Sequence, residues 1–314
     1  QYFDGQFTPR LGALVFLSEN QNIRFSYQTG FMNPSTQDQY IALDVVSAVL
    51  MGSSPDSIDR FRMSFTGSNF NEYTVTGDMV MNNGLVFQDY LTGTITPAQL
   101  KPVEPQHVIS REFGYRLNGK KVSVDLSAHW STFNNFIAAK QVVVPYYGDV
   151  SNLGQGGGSS ALAALVNDDF RIFSVDNNTE EVVTTMGVNV GLETKIDKLD
   201  FGATFSYNEM DQSKVDPNFT TFYNTPKIRT KFTLGSTEIS DDFAFNVSAR
   251  YHNSYYWDSS FFSGQIPATW VFDAAMNFDV PELNSKVKIG ATNFTGQDYM
   301  MMPGSGMVGS QYYV

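Results

Sequence analysis

From Val122 to Trp130 every even position is apolar and every odd position is polar, with Asp125 and His129 among the polar set. The pattern recurs along the chain. Leu199, Phe201, Ala203, Phe205 and Tyr207 alternate with polar or small residues, as do Phe243, Phe245, Val247, Ala249 and Tyr251. Met186, Val188, Val190 and Leu192 form a third set, and Trp270 through Val280 a fourth. A period of two belongs to a strand with one apolar and one polar face. About eleven strands are expected, near 7–17, 22–30, 109–117, 121–137, 180–196, 199–209, 227–238, 242–253, 268–280, 286–293 and 310–314. Helix is a minor element, and Ser53-Ser54-Pro55-Asp56 reads as a helix start inside a loop.

The connections narrow the architecture further. Those near 18–21, 118–120, 197–198, 239–241 and 281–285 are tight. Those near 31–108, 138–179, 210–226, 254–267 and 294–309 are long, and the two kinds alternate without exception. A soluble sandwich has no reason to gather its long loops at one end. A transmembrane barrel does, having short periplasmic turns and long extracellular loops. Phe, Tyr and Trp near strand ends suit the aromatic girdles at the two lipid interfaces. The expected fold class is therefore all-β, a transmembrane antiparallel β-barrel. Val124, Leu126, Phe201, Phe205, Phe245, Val247 and Met276 are expected to face lipid. Asp125, Ser127, Thr204, Ser248 and Asn277 are expected to face the lumen.

Composition excludes other classes. There is no Cys, which removes disulfides and thiolate chemistry, and there are only three His. The net charge of −12 and the pI near 4.6 disfavour nucleic acid as a partner. The longest apolar candidate, 41–51, carries Asp44 and is too short for a membrane helix. Gln1-Tyr2-Phe3-Asp4-Gly5 lacks the basic and apolar regions of a signal peptide. No nucleophile elbow, zinc-protease motif or phosphate loop occurs, so no catalytic residue and no enzyme activity is expected. Gly154 through Ser160 lacks the Lys of a phosphate loop and reads as a flexible tip. His129 or His252 in a Ser–His pair, as a barrel phospholipase would use, is a minor alternative to a polar barrel wall. Asp56, Asp59, Asp168 and Asp169 lack EF-hand spacing and read as solvated loop acids. No metal or cofactor is expected.

Three stretches carry a resemblance. Phe7-Thr8-Pro9-Arg10 leads into Arg24-Phe25-Ser26-Tyr27-Gln28-Thr29-Gly30-Phe31-Met32-Asn33-Pro34. Lys101-Pro102 and Glu104-Pro105 precede Arg111-Glu112-Phe113-Gly114-Tyr115-Arg116. Gly290-Ala291-Thr292-Asn293-Phe294-Thr295 precedes Tyr299. In this order they resemble the barrel of TonB-dependent outer-membrane receptors. That resemblance implies a barrel of twenty-two strands, plugged by an amino-terminal domain. Such a barrel imports a glycan, peptide or siderophore-like nutrient with energy supplied through the TonB complex. Residues 1–314 would be the carboxy-terminal half of the barrel, with plug and TonB box lying outside them. It further implies the outer membrane of a Gram-negative bacterium, its lipid as a partner, and in some members a surface substrate-binding lipoprotein.

Candidate substrate contacts are the loop aromatics Tyr255, Tyr256, Trp257 and Phe261, with Tyr146 and Tyr147 on another loop. Flat aromatics beside acids and amides suit sugar rings or peptides. Arg24, Asp125, Glu193 and Arg250 are expected to face the lumen, where Arg24, Glu193 and Arg250 contact either substrate or plug, with ion pairing to the plug that the resemblance implies as the preferred reading. The alternative to transport is a surface barrel that only binds, as a receptor or adhesin.

Overall fold

In the computed structural model, which describes residues 5–259 and 262–314, eleven strands form one antiparallel meander. They are β1 (Arg10–Ser18), β2 (Gln21–Met32), β3 (Gln106–Asn118), β4 (Val122–Asn134), β5 (Val183–Ile196) and β6 (Leu199–Asp211). The series continues with β7 (Ile228–Ser240), β8 (Phe243–His252), β9 (Thr269–Val280), β10 (Ser285–Thr292) and β11 (Gln311–Tyr313). Each strand pairs with its sequence neighbours, so spatial order equals chain order. The short and long connections alternate as the sequence implies.

The register sorts the side chains into two faces. Val15, Ile23, Tyr115, Leu126, Val190, Phe205, Thr230, Tyr251 and Trp270 are successive cross-strand partners. One residue along, Asn22, Arg116, Asp125, Gly191, Thr204, Lys231 and Arg250 form the matching row on the other face. Among the described residues nothing packs over the apolar face. Phe25, Trp130, Phe232 and Trp270 are all at least 40% exposed there, far more apolar area than a soluble monomer presents.

The buried core lies elsewhere. Three long connections contribute to a second sheet, the third only through Phe219–Thr220. Its central strands, Ile137–Pro145 and Phe170–Asn178, are antiparallel. Val49–Met51 joins the second of these in parallel, Ala42–Asp44 follows, and Leu85–Val86 and Phe219–Thr220 pair with the first. Val49, Met51, Val75, Val80, Val142, Val144, Phe173 and Val175 form its main core. The sequence reads 31–108 and 138–179 only as long connections, and their shared sheet is not apparent from it. The main sheet is antiparallel, and the parallel pair belongs to the loop unit. The predicted helix forms at Pro55–Arg60, capped by the Ser54 side chain.

Candidate functional site

The polar face carries a built network of charges. Asp125 receives Arg24 Nη2 at 3.0 Å from two strands away and Arg116 Nε at 2.7 Å from the adjacent strand. The Arg24 side chain reaches Asp125 by lying across Gly114, its own cross-strand partner. A Cβ at that position would collide with the guanidinium. Arg250 makes a second pair, donating to both carboxylate oxygens of Asp273. Glu193 stands between Ser123 and Gly202 on the same face. The structure thus brings Arg24 and Asp125 together and leaves Glu193 and Arg250 separate from them.

The two sets of candidate aromatics fall in different folded units. Tyr146 stacks on Phe65 and packs against Tyr73, so it belongs to the loop core rather than to an open surface. Burial raises its hydroxyl pKa above the ordinary tyrosine value. Tyr147 donates to Asp169 at 3.0 Å. Asp169 also accepts from the Ser68 N–H, which holds its carboxyl below the usual range. It is a structural acid of the core, not the solvated loop acid its sequence context implies. Asp56 pairs with Arg60 one turn along its helix.

Tyr255–Trp257 pairs with Gly264–Ile266 in a separate hairpin. Tyr256 points outward at 58% exposure. Tyr255 and Trp257 are half-buried, and Trp257 Nε1 is buried with no hydrogen-bond partner among the described residues. Asn224 clamps this hairpin to the preceding long loop through the Asp258 backbone, donating to its carbonyl and accepting from its N–H, both at 2.8 Å. Phe261 lies outside the described residues. Among the described residues no cluster of three His, Asp or Glu is arranged for a metal. His252 Nδ1 lies 3.0 Å from the Asn253 carbonyl.

The family model described as TonB dependent receptor-like, beta-barrel, matches residues 1–294. The chain belongs to this family. Solved receptors share the fold. The copper transporter OprC superposes with a TM-score of 0.55 at 12% identity, over 93% of this chain and 34% of the other. A ferric enterobactin receptor mutant from Pseudomonas aeruginosa gives 0.56 at 12% identity, over 93% and 35%. The siderophore receptor PirA from Acinetobacter baumannii gives 0.56 at 10%, over 97% and 40%. The receptor barrel described here therefore spans little more than a third of the length of these structures. No curated protein matches the sequence.

Proposed function

We propose that this chain is the carboxy-terminal part of the barrel of a TonB-dependent outer-membrane transporter. In this reading the apolar face meets lipid and the polar face lines the lumen of a Gram-negative outer-membrane barrel. The observation that carries it is the apolar face itself, left bare across the whole meander in a chain of this family. Both outer strands of the sheet also need partners, since an open edge in hydrocarbon leaves backbone groups unpaired at several kcal/mol each. The remaining strands, the plug and the TonB-contacting segment belong to the rest of a longer protein. Arg24, Asp125, Glu193 and Arg250 then face the plug.

The cargo is a nutrient too large or scarce for passive pores, a glycan, peptide or siderophore-like molecule. It is recognised partly by the exposed aromatics of the 254–267 loop, and a surface lipoprotein is a fitting partner for the folded loop unit. The test is uptake of candidate nutrients by cells carrying the full-length protein, with and without a working TonB complex. Uptake lost in the TonB-deficient strain supports transport. Binding that persists with no uptake in either strain overturns it in favour of a surface receptor.

A further inference from the structure

The register places Arg10, Arg24, Arg116, Arg229 and Arg250 on the polar face of the sheet. Arg111 lies on the apolar one. It stands in β3 directly between Tyr27 of β2 and Trp130 of β4. Its guanidinium sits over the Tyr27 ring, 5.7 Å from the centre. The residue is exposed, and among the described residues it joins no ion pair and no side-chain hydrogen bond. Its guanidinium donors have no partner among the described residues.

The surroundings change character at this residue. One step toward the long loops, the row on this face is Thr29, Ile109 and Thr132. One step toward the tight turns, it is Phe25, Phe113 and Ala128. Arg111 thus marks the passage from apolar to mixed surface, flanked by two aromatics of the kind that sit at headgroup level. Beneath it runs a groove of about 560 Å³, lined by Leu11, Phe25, Phe113 and Trp130 as well as Arg111 and Tyr27. A planar guanidinium with free donors matches a phosphate bidentately, and the groove below matches hydrocarbon.

We propose that this groove, on the membrane-spanning reading above, holds an acyl chain of lipid A with a lipid A phosphate on Arg111. Arg111 is the sixth of the thirteen residues of β3 counted from its long-loop end, and its row is where the apolar surface turns mixed, which that reading places in the outer leaflet, where the phosphorylated glycolipid resides. Charge complementarity fixes the head and apolar lining fixes the tail.

The experiment is native mass spectrometry of the full-length protein in detergent, titrated with diphosphoryl lipid A or with phosphatidylglycerol. Wild type should carry lipid A in preference to phosphatidylglycerol. Arg111→Ala should weaken lipid A binding about tenfold and Arg111→Lys by less, since Lys keeps the charge but not the fork. Lys101→Ala, on a loop, should bind as wild type. A heat-modifiability gel confirms that each variant is a folded barrel. Equal binding by Arg111→Ala and wild type overturns the proposal, as does equal occupancy by phosphatidylglycerol. Should Val247→Arg block membrane insertion while Asn246→Arg does not, and Arg111→Ala still bind normally, only the lipid site fails. Should both arginines be tolerated alike, the membrane-spanning reading itself fails.

Discussion

Arg250 and Asp273 grip each other across β8 and β9 by two parallel hydrogen bonds, Nε to Oδ2 at 2.9 Å and Nη2 to Oδ1 at 3.1 Å. Asp273 also accepts from the Asn293 N–H and from Ser248 Oγ. One carboxylate therefore ties β8 and β9 to the start of the last long connection. Half-exposed pairs are usually worth little, but a bidentate pair backed by further donors sits at the upper end of the range. A double-mutant cycle with Arg250→Ala and Asp273→Ala should give a coupling of about 1 kcal/mol in denaturant unfolding. A coupling near zero would show that solvent screening cancels the geometry.

Adjacent residues of β8 test the facing. Val247 lies in the apolar row with Leu234 and Ala274, and Asn246 lies in the polar row with Gly235 and Ala275. Val247→Arg should cost about 2–4 kcal/mol if it lies near mid-bilayer, reducing the heat-modifiable barrel fraction. Asn246→Arg should leave that fraction unchanged. Ser248 is a poorer control because it is buried against Asp273.

The loop unit should unfold independently of the main sheet. Phe173 is fully buried between Phe61 and Phe65. Phe173→Ala should destabilise this unit by about 3–5 kcal/mol. Limited proteolysis should then cut within 42–51 and 137–178, while the barrel band on a heat-modifiability gel persists. Loss of both together would show that the loop unit is needed for the barrel to form.

The same unit should be pH-sensitive through Asp176. Burial, together with the nearby Asp38 carboxylate, pushes its pKa up to about 7. A carboxyl whose folded pKa exceeds its unfolded value of about 3.9 stabilises the fold when protonated. That contribution is complete below about pH 4 and is lost as pH rises through about 7, at no more than roughly 1.4 kcal/mol per pH unit. Amide exchange in Ala42–Asp44 and Val49–Met51, corrected for the intrinsic pH dependence of exchange, should show weaker protection at pH 8 than at pH 5. Asp176→Asn should flatten the difference, and an unchanged slope in that variant would assign the effect to other groups.

Tyr256 is the most exposed of the described candidate aromatics. If the 254–267 loop contacts cargo, Tyr256→Ala should weaken uptake by a hot-spot amount, about 2 kcal/mol, with no loss of folded barrel. Tyr146→Ala should instead destabilise the loop unit, because its ring is stacked on Phe65. Normal uptake by Tyr256→Ala would move the cargo site elsewhere.

The strands of the main sheet were legible because alternation is a local property. Whether Leu126 or Asp125 lies on the apolar face depends only on parity once one face must be apolar. The loop sheet was illegible for the opposite reason. Ile137–Pro145 runs Ala-Ala and Val-Val-Val without alternation, since both its faces are covered, and such a run does not announce its structure. Its partners come from 49–51, 85–86, 170–178 and 219–220, so nothing local names them. Asp169 looked like a solvated acid because its partners, Ser68 and Tyr147, are distant in sequence.

The sequence by itself determined the number of main strands, their two faces and the alternation of tight and long connections, because side-chain period and loop length are written residue by residue. Only the tertiary structure decided that the long connections share a core, that Tyr146 packs against it partly buried while Tyr256 is exposed, and that Arg111 stands between Tyr27 and Trp130. Each of these depends on pairings across tens of residues, where chain entropy is offset by burial and register rather than by any local preference.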